Sequence, residues 1–258
     1  MYADICGARV RYEIYGQGRR RLLLLHGWGG NIDSFRPLVR DLSDAYTLLV
    51  PEFPGHGGSS EPPAPWSVTE YMEATARLIE QAGFAPCGVI AHSFGGRVAI
   101  LLAARRPELV GRMLLTGAAG LRPEQTGKKT ARAKTYGALK RLATLPVVPE
   151  KAQEALRERL IQRFGSPDYK ALTPSMRATF NRVIAQDLRP ELGRIQAPVF
   201  LFWGQDDTET PLWMGETMAR EIPDAALTAV PGCGHFAYLE RYEQFRGIAL
   251  ALFGEAGA

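Results

Sequence analysis

The fold of this chain is decided by residues 87–100, which read CGVIAHSFGGRVAI. Residues 87–91 are a short apolar run with the length and composition of a buried strand, and from Phe94 onward apolar residues recur at helical spacing. One serine, Ser93, lies where the period changes, and the residues two before and two after it are small. The pattern predicts a strand, a one-residue corner and a helix. Such a corner strains its central residue and presents the Ser93 hydroxyl beside helical N–H groups that have no partner.

This corner is similar to the G-x-S-x-G nucleophile elbow, with Ala91 in the place of the first glycine. On these residues the chain resembles the α/β-hydrolase family. The resemblance implies a mostly parallel eight-stranded sheet flanked by helices, with a helical cap inserted between strands, and it implies that Ser93 is the nucleophile. Because a polar strand-to-helix turn alone can produce this pentapeptide, the other motifs and their order decide between the two interpretations.

Length and composition fit one large α/β domain with a substantial core. The 258 residues are 46% hydrophobic and 22% charged, as in a soluble globular protein. The longest apolar candidate, residues 98–104, is too short to span a membrane, and the amino terminus lacks the pattern of a signal peptide. The three cysteines are widely separated and lack metal-ligand spacing. We therefore expect a cytoplasmic protein with no metal, no cofactor, no transmembrane segment and no nucleic-acid partner; the oligomeric state stays open.

A glycine-dense loop, residues 26–30, follows the predicted central strand at residues 22–25. Open α/β sheets place ligands at the carboxyl ends of their strands, so we expect this loop to border a substrate site. The predicted substrate contacts in it are His26, Gly27 and Gly29. In the family that the chain resembles, such a loop supplies one backbone N–H of the oxyanion hole. The resemblance implies that this N–H comes from Trp28 and that the second comes from Phe94, the residue after the nucleophile.

A second loop, residues 51–59, matches the family's D-x-P-G-H-G-x-S pattern, with Glu52 where aspartate is usual. We interpret it as part of the pocket wall. Its histidine, His56, is interpreted as a packed loop residue, because another histidine suits the role of the base better. His92, beside the nucleophile, is likewise interpreted as structural.

Two further motifs follow the last two predicted strands. Residues 203–207 match the family's W-G-x-x-D pattern, which assigns the catalytic acid to Asp207, with Asp206 as its competitor. A glycine-flanked histidine, His235, stands where the family has its base. Ser93, Asp207 and His235 thus follow the chain order serine, acid, histidine that this family uses. Each lies just past the carboxyl end of a predicted strand, so all three can meet at one edge of a parallel sheet.

Residues 121–190 break the alternation of strands and helices and contain no convincing strand. Helices are predicted there at about residues 128–145, 150–164 and 174–188. The resemblance implies a helical cap over 121–190, inserted into a core of residues 1–120 and 191–258. The insertion carries a net charge of +9 and the remainder −5. This excess is either a solvated face or a surface that favours an anionic substrate.

The predicted chemistry is hydrolysis of a small carboxylic ester through an acyl-serine intermediate. His235 would take the proton of Ser93, Asp207 would orient the imidazole, and the two N–H groups would stabilise the oxyanion. The stretch around His235 also resembles that of carbon–carbon bond hydrolases, and lactonases, thioesterases, amidases and cofactor-free haloperoxidases share the triad. A non-enzymatic ligand receptor on the same fold is the alternative from another class.

Overall fold

Apolar runs that end at charged or turn residues become the strands of one sheet. The computed structural model describes residues 1–122, 149–164 and 167–254. The strands are, in chain order, β1 (Tyr2–Ile5), β2 (Ala8–Tyr15), β3 (Arg20–Leu25), β4 (Tyr46–Pro51), β5 (Cys87–His92), β6 (Val110–Thr116), β7 (Val199–Gly204) and β8 (Ala225–Val230). They lie in the order β1-β2-β4-β3-β5-β6-β7-β8, with antiparallel pairs at β1–β2 and β2–β4 and parallel pairs elsewhere. The predicted mostly parallel, eight-stranded sheet is confirmed.

Helices follow most of the strands. Those of the described residues are α1 (Arg36–Leu42), α2 (Val68–Gln81), α3 (Phe94–Arg105), α4 (Glu150–Phe164), α5 (Pro167–Ala171), α6 (Pro174–Ala185), α7 (Trp213–Glu221), α8 (Ala237–Glu240) and α9 (Tyr242–Gly254), with 3₁₀ turns at Ile32–Phe35, Pro107–Leu109 and Arg189–Arg194. Helix α2 begins at a capping box: the Ser67 hydroxyl accepts from the Thr69 N–H at 3.2 Å, and the Glu70 carboxylate accepts from the Ser67 N–H at 2.6 Å. Such a cap contributes about 1 kcal/mol.

The central strand β3 is buried on both faces, as its continuous leucine run predicts. Leu23 and Leu25 pack in the apolar cluster that contains α2 and α3, whereas Leu22 and Leu24 pack in the cluster that contains α1 and α9. Each of these side chains is at most 1% exposed, and burial of one leucine stabilises the fold by about 1.5–3 kcal/mol. The helices therefore cover both faces of the sheet.

The chain divides into two compact units, residues 1–121 with 178–258 and residues 122–177. The first unit contains the whole sheet. In the second, the described helices are α4, α5 and the start of α6. Arg177 links them, because its Nη1 donates to the Glu158 carboxylate at 2.7 Å and its Nη2 to the Lys170 carbonyl at 2.7 Å.

Two of the three helices predicted in the insertion are present, and they end at Phe164 and Ala185. The helix predicted at about residues 128–145 lies outside the described residues. Residues 178–190, which the sequence analysis placed in the cap, belong to the first unit. The reason is that Val183 and Leu188 are buried in the apolar cluster around α3. That the insertion covers a substrate site remains a prediction.

The carboxy-terminal segment forms two helices, α8 and α9. They are separated at Arg241, whose backbone leaves the helical region at φ −125° and ψ 50°. Across the parts of the chain that the structure describes, none of the helices combines the length and the apolar character needed to cross a bilayer.

Candidate active site

The corner after β5 holds Ser93 in a strained backbone conformation, with φ 51° and ψ −111°. Few residues other than glycine adopt a positive φ, and the strain costs about 1–3 kcal/mol, so the surroundings must impose it. They do so through three main-chain hydrogen bonds. The Ser93 N–H donates to the Thr116 carbonyl at 3.2 Å, and the Ser93 carbonyl accepts from the N–H groups of Gly96 at 2.9 Å and Ala119 at 3.0 Å. The predicted strand, corner and helix are thus present.

Two glycines allow α3 to approach the end of the sheet. A Cβ atom added to Gly95 would overlap the backbone carbonyl of Leu25, and one added to Gly96 would overlap the Cβ atom of Ala118. Neither position has room for a side chain. The small residues after Ser93 are therefore required by close packing against β3 and the segment after β6.

Asp207 and His235 are joined by a hydrogen bond of 2.9 Å from His235 Nδ1 to Asp207 Oδ2. Asp207 is 4% exposed, whereas its competitor Asp206 is exposed to solvent. Burial by itself raises the pKa of Asp207, but hydrogen bonds from His235 and Thr210 outweigh burial and lower this pKa below its usual value. The carboxylate is consequently ionised at neutral pH. The geometry places Asp207, rather than Asp206, against the predicted base.

Thr210 is a member of this group that the sequence analysis missed. Its hydroxyl donates to Asp207 Oδ2 at 2.8 Å and lies 3.2 Å from His235 Nδ1, and its N–H donates to Asp207 Oδ1 at 2.9 Å. The available signal was its spacing, because a residue three positions after a carboxylate can fold back onto it in a turn. Thr210 fixes the carboxylate from two sides.

The remaining ring nitrogen of His235 is the one available to move a proton. Because Nδ1 donates to Asp207, Nε2 carries the lone pair. Nε2 lies 3.5 Å from the carboxylate of Glu209, a mostly exposed side chain. The Ser93 hydroxyl makes no hydrogen bond to His235 or to any other described residue. Bonds between a nucleophile and its base are often long without substrate and tighten in the complex.

His92 connects the nucleophile corner to the His235 loop. Its Nε2 donates to the His235 carbonyl at 3.1 Å, and the centroids of the two rings are 4.7 Å apart. Burial lowers the pKa of His92 to about 3, so the ring is neutral and keeps one N–H for this bond. The residue next to Ser93 in sequence therefore holds the backbone of the predicted base beside the corner.

The loop of residues 26–30 passes directly beside Ser93, the predicted nucleophile. A Cβ atom added to Gly27 would lie 3.3 Å from Ser93 Cβ and 3.0 Å from His92 Nδ1. In the described chain, the backbone N–H groups of Trp28 and Phe94 have no hydrogen-bond partner, and the rings of these two residues contact each other with centroids 5.2 Å apart. The structure thus leaves both predicted oxyanion donors free. Gly29, in contrast, is an exposed turn residue with φ +74° and open space around it.

His26 differs from its predicted role as a substrate contact. Its side chain is fully buried, Nε2 accepts from the Phe53 N–H at 3.1 Å, and Nδ1 donates to the Gly27 carbonyl at 2.7 Å. Burial is the main reason that the pKa of His26 is lowered to about 3. Both nitrogens are occupied by the backbone, so His26 positions the two loops around it and has no polar atom left for a ligand.

Glu52, which stands where the family has aspartate, ties three segments together. It is 2% exposed and accepts hydrogen bonds from the Ile32 N–H at 3.3 Å, the Gly58 N–H at 2.5 Å and Arg11 Nη1 at 3.3 Å. The longer side chain of glutamate spans these partners from the end of β4. Its role is to hold the loops on either side of the site.

His56 is packed, as interpreted from the sequence. Its Nδ1 donates to the Pro54 carbonyl at 3.1 Å, its ring centroid lies 4.7 Å from that of Trp28, and burial lowers its pKa to about 4. In the described residues Nε2 has no partner. His56 therefore supports the side chain of Trp28 as a neutral ring.

Comparison with known proteins identifies the family of this chain. The family model for the alpha/beta hydrolase fold matches residues 20–242. The chain belongs to the α/β-hydrolase fold family. This α/β hydrolase is 30% identical over 256 residues to a pimeloyl-(acyl-carrier protein) methyl ester esterase of Nitrosomonas europaea, covering 92% of this chain and 97% of that protein.

Two further similarities cover nearly the whole α/β hydrolase. It is 27% identical over 260 residues to a 2-hydroxy-6-oxononadienedioate/2-hydroxy-6-oxononatrienedioate hydrolase of Burkholderia vietnamiensis, covering 94% of this chain and 90% of that protein. Among solved structures it is similar to MGS-M2, an alpha/beta hydrolase enzyme from a Medee basin deep-sea metagenome library. That match has a TM-score of 0.76 at 21% identity and covers 100% of this chain and 98% of the other. It bears on the fold alone.

Proposed function

We propose that this α/β hydrolase cleaves a small carboxylic ester through an acyl-serine intermediate. The proposal depends most on the 2.9 Å hydrogen bond between His235 Nδ1 and the buried Asp207 carboxylate. This bond fixes the imidazole tautomer whose Nε2 accepts a proton, and it stabilises the imidazolium that forms. The strained Ser93 lies at the same edge of the sheet and is the nucleophile of the proposed reaction.

In the proposed reaction the Ser93 oxygen attacks the ester carbonyl carbon while His235 Nε2 takes the hydroxyl proton. For this step Nε2 has to bond to Ser93 in place of, or in addition to, its contact with Glu209. The carbonyl oxygen gains negative charge and accepts hydrogen bonds from the N–H groups of Trp28 and Phe94. Loss of one such donor costs about 3 kcal/mol of transition-state stabilisation.

Two bond-breaking steps complete the cycle. The bond between the carbonyl carbon and the alcohol oxygen breaks, and His235 returns its proton to the departing alcohol. A water molecule, deprotonated by His235, then attacks the acyl group, and the carboxylic acid leaves as Ser93 recovers its proton. Apart from the water molecule, these reaction steps use only side chains and backbone groups of the chain. We place the protein in the cytoplasm, and its three free cysteines support this location.

The ester bond is favoured over other bonds by the Nitrosomonas relative, whose name is that of a methyl ester esterase. The substrate is proposed to be a small molecule. The net charge of +9 in residues 121–190 supports a substrate with an acidic group. If that charge guides binding, kcat/KM for an acidic ester falls with added salt, whereas that of a matched neutral ester does not.

A carbon–carbon bond hydrolase is the second candidate. The specific observation that favours it is the similarity to the Burkholderia hydrolase of a dienedioate, which extends over 94% of this chain. The residues around His235 also resemble those of such enzymes. The same nucleophile and base would then act on a ketone carbonyl, and a carbon would be the leaving group.

The deciding experiment is a substrate panel that compares bond types: an ester and a thioester with the same acyl group, a lactone and a ring-cleavage dienedioate. The proposal predicts the highest kcat/KM on the ester, a burst of alcohol in the first turnover, and neither burst nor turnover in Ser93→Ala. Highest activity on the dienedioate would favour the second candidate. Ligand-dependent thermal stabilisation without turnover of any substrate would indicate a receptor.

A further inference from the structure

A cleft of about 620 Å³ opens at the amino ends of β3, β5 and β6, and its lining lies in the first unit. Ser93 follows the carboxyl end of β5, six residues further along, and a strand rises by about 3.3 Å per residue. The cleft is therefore about 20 Å from the nucleophile, at the opposite edge of the sheet. We call it the arginine cleft, because four of its lining residues are Arg19, Arg20, Arg21 and Arg112.

The amino ends of neighbouring strands form one side of this cleft. On β5, between the two arginine-bearing strands, the lining residues are Cys87 and Gly88, and the side chains of Leu22 and Phe253 occupy the space beside Gly88, because an added Cβ atom would lie 2.6 Å from each. The pairing of β5 with β6 also shifts register here: Cys87 pairs with Val110, but Val89 pairs with Met113. One residue of β5 thus faces two residues of β6, the second of which is Arg112. Such bulges redirect a side chain, and here the redirected side chain lines the cleft.

Three of these arginines are anchored to the main chain through a single nitrogen each. Arg20 Nη1 donates to the Phe253 carbonyl at 3.3 Å, Arg112 Nη1 to the Leu252 carbonyl at 2.7 Å, and Arg21 Nη1 to the Ala85 carbonyl at 3.2 Å. A guanidinium has five N–H donors, so each anchored group keeps others for a ligand. The anchoring restrains the side chains before any ligand binds, which reduces the entropy lost on binding.

The charge of the cluster is not neutralised by carboxylates. Elsewhere in the described chain arginines commonly pair with acids, as Arg105 does with Glu191 at 2.7 Å. No described carboxylate pairs with any of the four cleft arginines, and the described lining contains no aspartate or glutamate. Guanidinium groups stay protonated at all ordinary pH values. The cleft therefore carries positive charge that no described carboxylate balances, and such a surface attracts anions.

Capping of the carboxyl end of α9 is a simpler explanation for these arginines, and it accounts for two of the four. Arg20 and Arg112 bond the last carbonyls of α9, where positive charge is favourable. It does not account for Arg19 and Arg21, which do not bond that helix, nor for the cleft itself. The volume of the cleft lies within the range of about 300–1,000 Å³ that small-molecule sites occupy.

We infer that the arginine cleft binds a small organic anion that carries two or more negative charges on an apolar or aromatic body. Guanidinium groups bind carboxylates and phosphates through paired hydrogen bonds, and the lining also includes Leu22, Tyr46 and Phe253, apolar residues that are 7% exposed or less. The ligand class includes nucleotides and aromatic dicarboxylates. The site is independent of the proposed ester hydrolysis.

The test is a fluorescence titration of the full-length protein with the labelled nucleotide mant-ADP, followed by competition with ADP and with phthalate. The variant Arg19→Gln/Arg21→Gln removes two cleft charges without touching the bonds to α9. The matched control Arg77→Gln/Arg241→Gln removes two exposed charges outside the cleft. We expect saturable binding, an affinity about tenfold or more lower in the cleft variant, and less than about twofold change in the control.

Competition identifies the source of the anion: displacement by ADP indicates a nucleotide and displacement by phthalate indicates a dicarboxylate, and either supports the site. Protein phosphonylated at Ser93 should bind mant-ADP as well as untreated protein does. Three results would overturn the inference. They are no saturable binding up to about 1 mM, equal loss of affinity in both double variants, and loss of binding after phosphonylation. Thermal unfolding of each variant verifies that it is folded.

Discussion

The carboxylate of Asp207 accepts four hydrogen bonds, two from backbone N–H groups and two from the side chains of Thr210 and His235. This arrangement keeps the group ionised although it is buried, and it selects one tautomer of the imidazole. At the scale of single residues, it is the arrangement on which the proposed role of His235 as a base at Nε2 depends.

Replacement of this carboxylate by an amide tests that role. In Asp207→Asn one of the two oxygens becomes an NH₂ group, so the side chain cannot accept both from the backbone N–H groups at Oδ1 and from His235 at Oδ2, and the imidazole loses its orientation. We expect kcat for the preferred ester to fall by about 10⁴-fold. Asp206→Asn is the control and should stay within about twofold, because an exposed side chain away from the base contributes little. Steady-state kinetics measure both, and the reverse ranking would assign the acid to Asp206.

At the scale of secondary-structure elements, the corner between β5 and α3 needs glycine where the helix meets the sheet. The atom that a new Cβ at Gly95 would strike belongs to the backbone of Leu25 and cannot move aside as a side chain could. The helix would have to shift, and Ser93 would shift with it.

Gly95→Ala is therefore expected to destabilise the fold by about 1–3 kcal/mol and to lower kcat. Gly247→Ala is the matched control: Gly247 is an exposed residue of α9 with open space around its added Cβ. Alanine there should stabilise the fold by about 0.4–1 kcal/mol. Urea unfolding measures both changes. Equal effects of the two substitutions would show that the close approach at the corner is unimportant.

At the scale of the whole molecule, three buried neutral histidines make the fold sensitive to acid. Burial lowers the pKa of His26 to about 3, of His56 to about 4 and of His92 to about 3, from an ordinary value of 6.5. At a pH between the lowered pKa of each folded histidine and the ordinary value of 6.5, the unfolded chain binds protons that the folded chain does not. The stability is therefore complete above about pH 6.5 and is lost as the pH falls towards the folded-state values.

Each of these histidines should lower the free energy of unfolding by about 1.4 kcal/mol per pH unit between about pH 6 and pH 4. In His56→Gln the amide can still donate to the Pro54 carbonyl. This variant should make that slope shallower by the contribution of one proton, about 1.4 kcal/mol per pH unit. Chemical unfolding at a series of pH values provides the slope. An unchanged slope in the variant would mean that His56 is protonated in the folded protein.

The parts of this molecule that the sequence predicts are those encoded by neighbouring residues. The change of period at Ser93 predicts the corner, and the apolar run of β3 predicts a strand buried on both faces. The positions of Asp207 and His235 after strands predict that they meet, because parallel strands end at one edge.

What the sequence does not predict depends on contacts between distant segments. His26 resembles a ligand contact until folding brings the Phe53 N–H to its Nε2. Residues 178–190 resemble part of the insertion until Val183 packs against the first unit. The arginines of β3 line one cleft with Arg112 only because folding brings the amino ends of β3, β5 and β6 side by side. In each case the partner is a backbone group or a strand that local patterns do not specify.

The central claim is that a serine acts as the nucleophile. Its most direct test is to label the protein with a fluorophosphonate and to locate the labelled residue by peptide mass spectrometry. The account predicts one adduct per chain, on Ser93, and capture slower by about 10³-fold or more in His235→Ala, because the hydroxyl then lacks its base. An adduct on a different residue, or capture of Ser93 at the unaltered rate in His235→Ala, would contradict it.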